Sequence, residues 1–291
     1  MKYKNGVIAE IYRDKDYELA GGLTIDKIPK AKYTFWDKQI QYHQPDVSEM
    51  SCTLFGCLTA FSNLTGYVFD IKEQLALWGQ ALKLGASDKA GWYLYTAVDL
   101  VRDYVNTLKL GEFSTFRVAV GYDDFYNVLK CGYMVITGYN GNSKWNTDKS
   151  DGVLNNTEFG ASTYSHIINF ADKSPESKNE LCIVDSYLKT SPANVYEIPD
   201  IIPLYQNNSI FKYGYVFATQ EMKRVINQKL TLRFENRMIY NADENKFAVI
   251  KKGRKVMFNK MYDLLTVAKW ADTNESYACG VTLKDWEEIG N

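Results

Sequence analysis

The chain has 291 residues, of which 46% are hydrophobic, and a formal net charge of −1. This length accommodates one large domain, or a large domain together with a small one. A charge so near zero gives no general attraction to nucleic acid or to an anionic membrane, so neither is expected as a partner.

The lack of a recognisable signal peptide or membrane-spanning run and the irregular spacing of the cysteines both suggest a reducing compartment. No apolar run approaches the roughly 20 residues that span a bilayer. The charged N-terminal stretch lacks the apolar core of a signal peptide. The five cysteines have no regular spacing, which argues against a disulfide framework. We therefore expect a cytoplasmic protein.

Helices are predicted for the first part of the chain, after a polar arm over 1–43 that we interpret as extended. Residues 52–63 carry no charge and place apolar side chains at helical spacing, which predicts a buried helix. Ser51 is the expected N-cap of this helix, and Gly66 follows its end. Two further helices are predicted over 71–84 and 93–108.

A sheet is predicted for the middle of the chain. Apolar runs typical of strands are interrupted there by one short helix and one long polar loop. The predicted strands cover 116–121, 132–139, 166–171, 180–185 and 211–218, the helix covers 123–129, and the loop covers 140–163. Helices followed by a mostly antiparallel sheet predict an α+β fold in two packed lobes, one helical and one of β structure.

We place a domain boundary near residue 225. It separates a large domain over 1–225 from a small β-rich domain over 226–291. A helical connector is predicted over 219–228. The predicted elements of the small domain are strands over 230–234, 237–240, 246–250 and 256–258, turns over 241–245 and 251–255, and helices over 260–269 and 283–289.

The residue types needed for thiol chemistry follow one another along these elements. Cys52 opens the uncharged helix, where the helix dipole and a neighbouring imidazolium would both stabilise a thiolate. The competing interpretation, a buried structural cysteine, is the commoner one for a lone cysteine. Gln44 lies eight residues upstream. With the Cys52 backbone N–H it would bind the oxyanion of a tetrahedral intermediate, and Gln39 and Gln41 are nearby alternatives.

His166 opens a predicted strand and is the candidate general base and acid. The chain has only two histidines, and His43 precedes the cysteine, which is the wrong order for this arrangement. Asp185 ends the next strand nineteen residues later, where a hairpin would bring it beside the imidazole. Each residue alone has an ordinary structural interpretation, but the four residue types on matching elements together favour a catalytic set.

A second cysteine, Cys57, lies five residues further along the same predicted helix and is the other candidate nucleophile. Five residues of helix turn through about 500°, so Cys57 points about 140° away from Cys52. Both thiols cannot face one histidine, and Cys52 is favoured because it lies at the positive end of the helix dipole.

The segments around these residues resemble papain-like cysteine peptidases, above all the divergent group encoded by bacteriophages. The active-site helix of that family is similar to QPDVSEMSCTLFGCLTAFSNLTG, its histidine strand to SHIINFAD and its Asn-Ser-Trp segment to CIVDSYL. The resemblance covers about 30–218. It implies a papain-like two-lobed fold, a triad of Cys52, His166 and Asp185 with Gln44 in the oxyanion hole, and a peptide or protein substrate.

The sequence departs from the family in two places. The gap between Gln44 and Cys52 is two residues longer than usual, which weakens the assignment of the glutamine. Asp185 stands where the commoner residue is Asn, and a carboxylate should hold an imidazolium at least as well as an amide does.

Two other functions stay open at this point. A cell-wall amide hydrolase or a transglutaminase-like acyltransferase would share the Cys-His-Asp order, and a catalytically inactive virion or interaction module would retain the fold.

The small C-terminal domain is expected to attach the protein to a virion or another larger assembly. No metal site is predicted from two histidines and scattered cysteines, and no cofactor is predicted without a Walker loop or a dinucleotide fingerprint.

Overall fold

The computed structural model describes residues 7–8, 25–31, 41, 47–48, 50–141, 164–172, 181–186, 195–198, 211–233, 238–241, 246–251, 254–258 and 279–281. Within these residues, contacts group into two units, and the division falls between Thr219 and Gln220. The boundary predicted near residue 225 falls slightly beyond that division. The predicted loop over 140–163 and the predicted helices over 260–269 and 283–289 lie largely or wholly outside the described residues.

Helix α1, Cys52–Thr65, is the buried centre of the first unit. Its side chains from Cys52 to Leu64 are all buried, as its lack of charged residues predicts. The helix ends where Gly66 takes a left-handed conformation, with φ of 76°, and its N–H donates to the Ser62 carbonyl. Glycine adopts that conformation without steric cost, so the end of α1 is set by the sequence.

Two amphipathic helices follow, α2 over Ile71–Lys83 and α3 over Leu94–Thr107. A reciprocal capping box fixes the start of α2: the Asp70 carboxylate accepts from the Glu73 N–H, and the Glu73 carboxylate accepts from the Asp70 N–H. Both α1 and α2 contact α3. Each of these three helices lies within two residues of its predicted bounds.

A six-stranded antiparallel sheet forms the other part of the first unit. Its strands are β3 Phe113–Ala119, β4 Val135–Gly141, β5 Tyr164–Asp172, β6 Leu181–Val184, β7 Val195–Ile198 and β8 Tyr213–Thr219, with a short helix α4, Asp123–Lys130, between β3 and β4. The strand order is β3-β8-β4-β5-β6-β7. The helices and this antiparallel sheet confirm the predicted α+β class; β7 was not predicted.

Helix α1 packs closely against the middle of the sheet, where it contacts β4, β5 and β8. Gly56 lies one helical turn after Cys52, and a Cβ atom at Gly56 would stand 2.6 Å from Cγ2 of Ile167. The absence of a side chain at Gly56 therefore allows α1 to approach β5. Ile167 directly follows His166 on β5, so the contact between Gly56 and Ile167 sets the distance between α1 and the histidine strand.

A short parallel pair joins the N-terminal region to the first unit. Strand β1, Val7–Ile8, pairs with β2, Trp92–Tyr93, and β1 also lies against β5. Neither strand was predicted, because two residues are too few to show a periodic pattern. A 3-10 turn at Ile25–Lys27 contacts α4.

The second unit contains helix α5, Gln220–Arg233, and a sheet of β9 Met238–Asn241, β10 Lys246–Lys251, β11 Arg254–Phe258 and β12 Cys279–Val281. The strand order is β11-β10-β9-β12, with β12 parallel to β9. The buried apolar residues described in this unit are Met222 and Ile226 on α5, and Ile239, Ala248, Val249 and Ile250 on the sheet.

The strand predicted over 230–234 is wrong, because α5 continues to Arg233. Leu230 and Leu232 alternate with polar residues as they would in a strand, but the segment from Gln220 to Arg233 contains no Gly or Pro to stop a helix. Extension of an existing helix costs far less than starting a new element, so the helix continues. The turn predicted over 251–255 is too long at both ends, since β10 includes Lys251 and β11 begins at Arg254.

Candidate active site

Cys52 is the first residue of α1 and only 1% exposed. Ser51 occupies the N-cap position, but its side chain makes no capping hydrogen bond, contrary to expectation. Its hydroxyl instead donates to the Ser48 carbonyl at 2.5 Å. The Ser51 backbone has φ of −86° and ψ of 13°, away from the extended conformation that brings a capping side chain over the helix end. The Ser51 hydroxyl oxygen therefore does not accept a hydrogen bond from the N–H groups at the start of α1, which is the positive end of the helix dipole and the place where Cys52 lies.

His166 and Asp185 form a buried ion pair. The His166 Nε2 atom lies 2.8 Å from Oδ1 of Asp185, and the Asp185 side chain is 1% exposed. The register of β5 with β6 pairs Asn169 with Val184. Continuing that register places Asp185 opposite Ile168, which lies on the same face of β5 as His166. An antiparallel strand pair thus brings together two residues nineteen positions apart.

The charge on His166 is decided by competing effects. Burial favours the neutral ring, but the Asp185 carboxylate and the Cys52 sulfur, by charge and by hydrogen bonding, outweigh burial and raise the pKa of His166 to about 10. Because Nε2 is bonded to Asp185, the ring offers its other nitrogen, Nδ1, to Cys52. The structure thus brings Cys52, His166 and Asp185 together, with the imidazole between the other two.

The predicted oxyanion glutamine, Gln44, lies outside the described residues, as does Gln39. The third candidate, Gln41, is buried beside the far part of α1: its backbone N–H donates to Oγ1 of Thr59, and its side-chain oxygen accepts from Gln74 at 3.4 Å. Thr59 is seven residues beyond Cys52, about 10 Å along the helix. The Gln41 side chain is therefore held among the helices and away from the thiol.

The rival thiol, Cys57, is fully buried in the body of α1. The sulfur that acts on the His166 pKa is that of Cys52. Among the residues that the structure describes, Cys52, Cys57, Cys131 and Cys182 form no disulfide bond.

Sequence analysis missed one residue of the site, Tyr139. Its ring lies 5.7 Å from the His166 ring, centroid to centroid, with the planes 85° apart. Tyr139 and His166 are paired residues of β4 and β5. Aligning GYMVITGY against SHIINFAD as an antiparallel pair could have found this contact, but only with the correct register.

Within the described ranges, no three His, Cys, Asp or Glu residues are grouped so that they could hold a metal ion. None of the helices in those ranges is long and apolar enough to cross a membrane.

The chain was compared with known proteins. No family model and no curated protein matches it. Among solved structures, procathepsin B S9 from Trypanosoma congolense matches with a TM-score of 0.41 and 10% identity, over 70% of this chain and 85% of that one. A digestive procathepsin L2 proteinase from Tenebrio molitor larval midgut matches with a TM-score of 0.41 and 12% identity, over 75% of this chain and 78% of that one.

Proposed function

We propose that the protein is a papain-like cysteine peptidase that hydrolyses peptide bonds. The observation that supports this most directly is the buried His166–Asp185 pair, 2.8 Å apart, with Cys52 beside the imidazole at the start of α1. A buried ion pair is costly to form unless its partners are well arranged. Here the arrangement yields an imidazolium next to a thiol at the positive end of a helix, which is the environment that activates a thiolate.

In the proposed reaction the Cys52 thiolate attacks the carbonyl carbon of the scissile bond and forms a tetrahedral oxyanion. His166 gives its proton to the leaving amine, the C–N bond breaks, and a thioester to Cys52 remains. His166 then takes a proton from water, the hydroxide attacks the thioester, and the carbon–sulfur bond breaks to release the acid product, which restores the Cys52 thiolate and the protonated His166. Asp185 orients the ring and stabilises its charged form throughout. The Cys52 backbone N–H and Gln44 would bind the oxyanion.

Finer parts of the proposal rest on the sequence. The resemblance to phage-encoded peptidases suggests virion maturation or cleavage of host or cell-wall peptides as the biological setting. The second unit would then attach the enzyme to a larger assembly, and the four described cysteines that form no disulfide bond agree with a cytoplasmic, reducing location.

One observation favours an alternative, a module that has kept the fold and lost activity. Cys52 is 1% and His166 9% exposed, so neither reacting group is open to a protein substrate in this conformation. The intact set of Cys52, His166 and Asp185 argues against loss of activity. A thiol amidase or acyltransferase would use the same three residues, so only substrates separate it from a peptidase.

The test is labelling with an epoxide-type electrophilic thiol probe, read for each cysteine by peptide mass spectrometry in the wild type and in His166→Ala. We expect fast labelling of Cys52 that is lost in the variant, with Cys57 as the internal control. Equal, slow labelling of both cysteines in both proteins would overturn the enzyme proposal. Labelling of Cys57 alone would identify Cys57, and not Cys52, as the nucleophile. Product analysis with protein substrates and with peptidoglycan fragments then separates a peptidase from an amidase.

A further inference from the structure

The His166 imidazole has to serve two partners from one orientation. Its Nε2 atom is bonded to Asp185 at 2.8 Å, and Nδ1 is left for Cys52. A half-turn of the ring about the Cβ–Cγ bond exchanges each nitrogen with a carbon, so neither partner would then face a nitrogen. The bond to a single carboxylate oxygen holds one atom of the ring and leaves the plane of the ring to be fixed by other contacts.

Tyr139 supplies such a contact. The rings of Tyr139 and His166 are 5.7 Å apart and perpendicular within 5°, since their planes meet at 85°. Perpendicular aromatic pairs at this separation are attractive, and their energy depends on the angle between the rings. A rotation of the imidazole would lose this arrangement.

The backbone fixes the position of Tyr139. Tyr139 and His166 are directly paired in the β4–β5 ladder, and both strands are internal to the six-stranded sheet. Directly opposed residues of adjacent strands project to the same side of the sheet, so the contact follows from the register. Tyr139 is also fully buried, which gives it no surface toward a substrate.

We propose that Tyr139 is a positioning residue that holds the His166 ring between Asp185 and Cys52. The inference rests on the proposed thiol chemistry. The groups that face His166 in the described part of the chain come from three elements: Cys52 from α1, Asp185 from the end of β6 and Tyr139 from β4. Tyr139 would act on the reaction through its contact with the histidine ring.

Two variants separate the ring from the hydroxyl group. Tyr139→Phe keeps the aromatic ring, and Tyr139→Leu removes it. We expect the epoxide probe to label Cys52 about tenfold more slowly in Tyr139→Leu at neutral pH, with an altered pH profile, because small errors of orientation cost large factors in rate. Tyr139→Phe should stay within about twofold of the wild type.

A second readout does not depend on activity. With His43→Ala as the background, His166 is the only histidine, so the nitrogen NMR signals of the imidazole report its ring directly. We expect sharp, distinct signals for the two ring nitrogens in wild type and Tyr139→Phe, and averaged signals in Tyr139→Leu. If Tyr139→Leu does not fold, Tyr139→Met, which is unbranched, takes its place.

Unchanged labelling, pH profile and ring signals in a folded Tyr139→Leu or Tyr139→Met protein would overturn the inference. A Tyr139→Phe protein as slow as Tyr139→Leu would also overturn it, by assigning the effect to the hydroxyl group. A wild-type Cys52 that labels no faster than Cys57 instead overturns the proposed function. The two failures are therefore distinguishable.

Discussion

His166 is a residue at which two opposing effects can be weighed. Burial alone would keep the imidazole neutral, whereas the Asp185 carboxylate and the Cys52 sulfur favour its charged form and prevail. The result is a histidine that holds its proton in the folded protein at pH values where an ordinary histidine has lost it. Such a group supplies a proton to a leaving amine at neutral pH, and it also makes stability depend on pH.

The stability conferred by His166 should fall as the pH rises. Its pKa is 6.5 in an unperturbed state and about 10 in the folded protein, so between these values the folded state keeps a proton that the unfolded state has released. The slope of unfolding free energy with pH is then negative. We expect the difference in unfolding free energy between wild type and His166→Gln to be fully present below about pH 6.5 and lost as pH rises through about 10.

Urea denaturation of both proteins at intervals from about pH 6 to pH 10 would measure this difference. Titrations of groups remote from His166 cancel in the subtraction, so the comparison reports the His166 site. A difference that grows with pH would contradict the ion pair.

Sequence reasoning proposed the three residues that the structure brings together, because cysteine and histidine are rare in this chain and Asp185 ends the strand that follows the histidine strand. With two histidines in the chain, the choice of His166 depended only on order along the chain. Tyr139 was missed because the chain has 22 tyrosines and the role of this one depends on strand register. Ser51 is the N-cap residue, as predicted, but its side chain makes no capping hydrogen bond, because that bond depends on backbone angles and serine allows both outcomes. Gln44 stays a prediction.

At the scale of elements, the approach of α1 to β5 depends on Gly56. Gly56→Ala would place a Cβ atom 2.6 Å from Cγ2 of Ile167, a branched methyl group close to the backbone that cannot swing away. Overpacking typically costs about 1–3 kcal/mol, against a gain of about 1 kcal/mol in helix propensity. We expect a net loss of up to about 2 kcal/mol in unfolding free energy and slower labelling of Cys52.

A matched control for that substitution lies in α2. Gly79 is also inside a helix, but a Cβ atom there would meet nothing within 4 Å. Gly79→Ala should therefore stabilise the protein by about 0.5–1 kcal/mol and leave labelling unchanged. If both substitutions stabilised the protein equally in urea denaturation, close packing at Gly56 would not be what positions α1.

The weak pairing of β1 with β2 leads to an expectation about how fast Cys52 can be labelled. β1 lies against the histidine strand β5, while Cys52 and His166 are buried. A two-residue pair is weak on its own, so it can open. When a reactive conformation is only partly populated, the observed rate is reduced by that fraction.

Deletion of residues 1–11 removes β1 and should therefore speed the labelling of Cys52 by about threefold or more. Ile8→Pro should act in the same direction, because proline lacks the backbone donor needed for pairing. Labelling time courses of the three proteins at one probe concentration would measure the effect. Slower labelling of the deleted protein would mean that β1 supports the site instead of covering it.

Long elements with a clear pattern were predictable, and short or context-dependent ones were not. The uncharged run of α1 and the amphipathic pattern of α3 each allow one structure. β1 and β2 are too short for any period, and their pairing joins residues about 85 positions apart in the chain. At the end of α5, the alternation of apolar and polar residues favoured a strand. The helix continues instead to Arg233, because extending an existing helix is cooperative.

At the scale of the whole molecule, the candidate site and the second unit are separate in the part of the sequence that the structure describes. Cys52, His166 and Asp185 all precede Thr219, the last residue of the first unit, and β8, which ends there, is bonded to both β3 and β4. The second unit has its own four-stranded sheet with buried Ile239, Val249 and Ile250. Two units with separate sheets and cores have the organisation of domains that fold independently.

A chain ended after Thr219 should therefore retain the candidate site. We expect its Cys52 to be labelled by the epoxide probe within about twofold of the full-length rate, because every strand of the six-stranded sheet is present. The same chain carrying His166→Ala is the control, and it should label slowly. A fall of more than about tenfold in a folded 1–219 chain would show that residues 220–291 complete the site, and the expectation that they serve attachment would have to be given up.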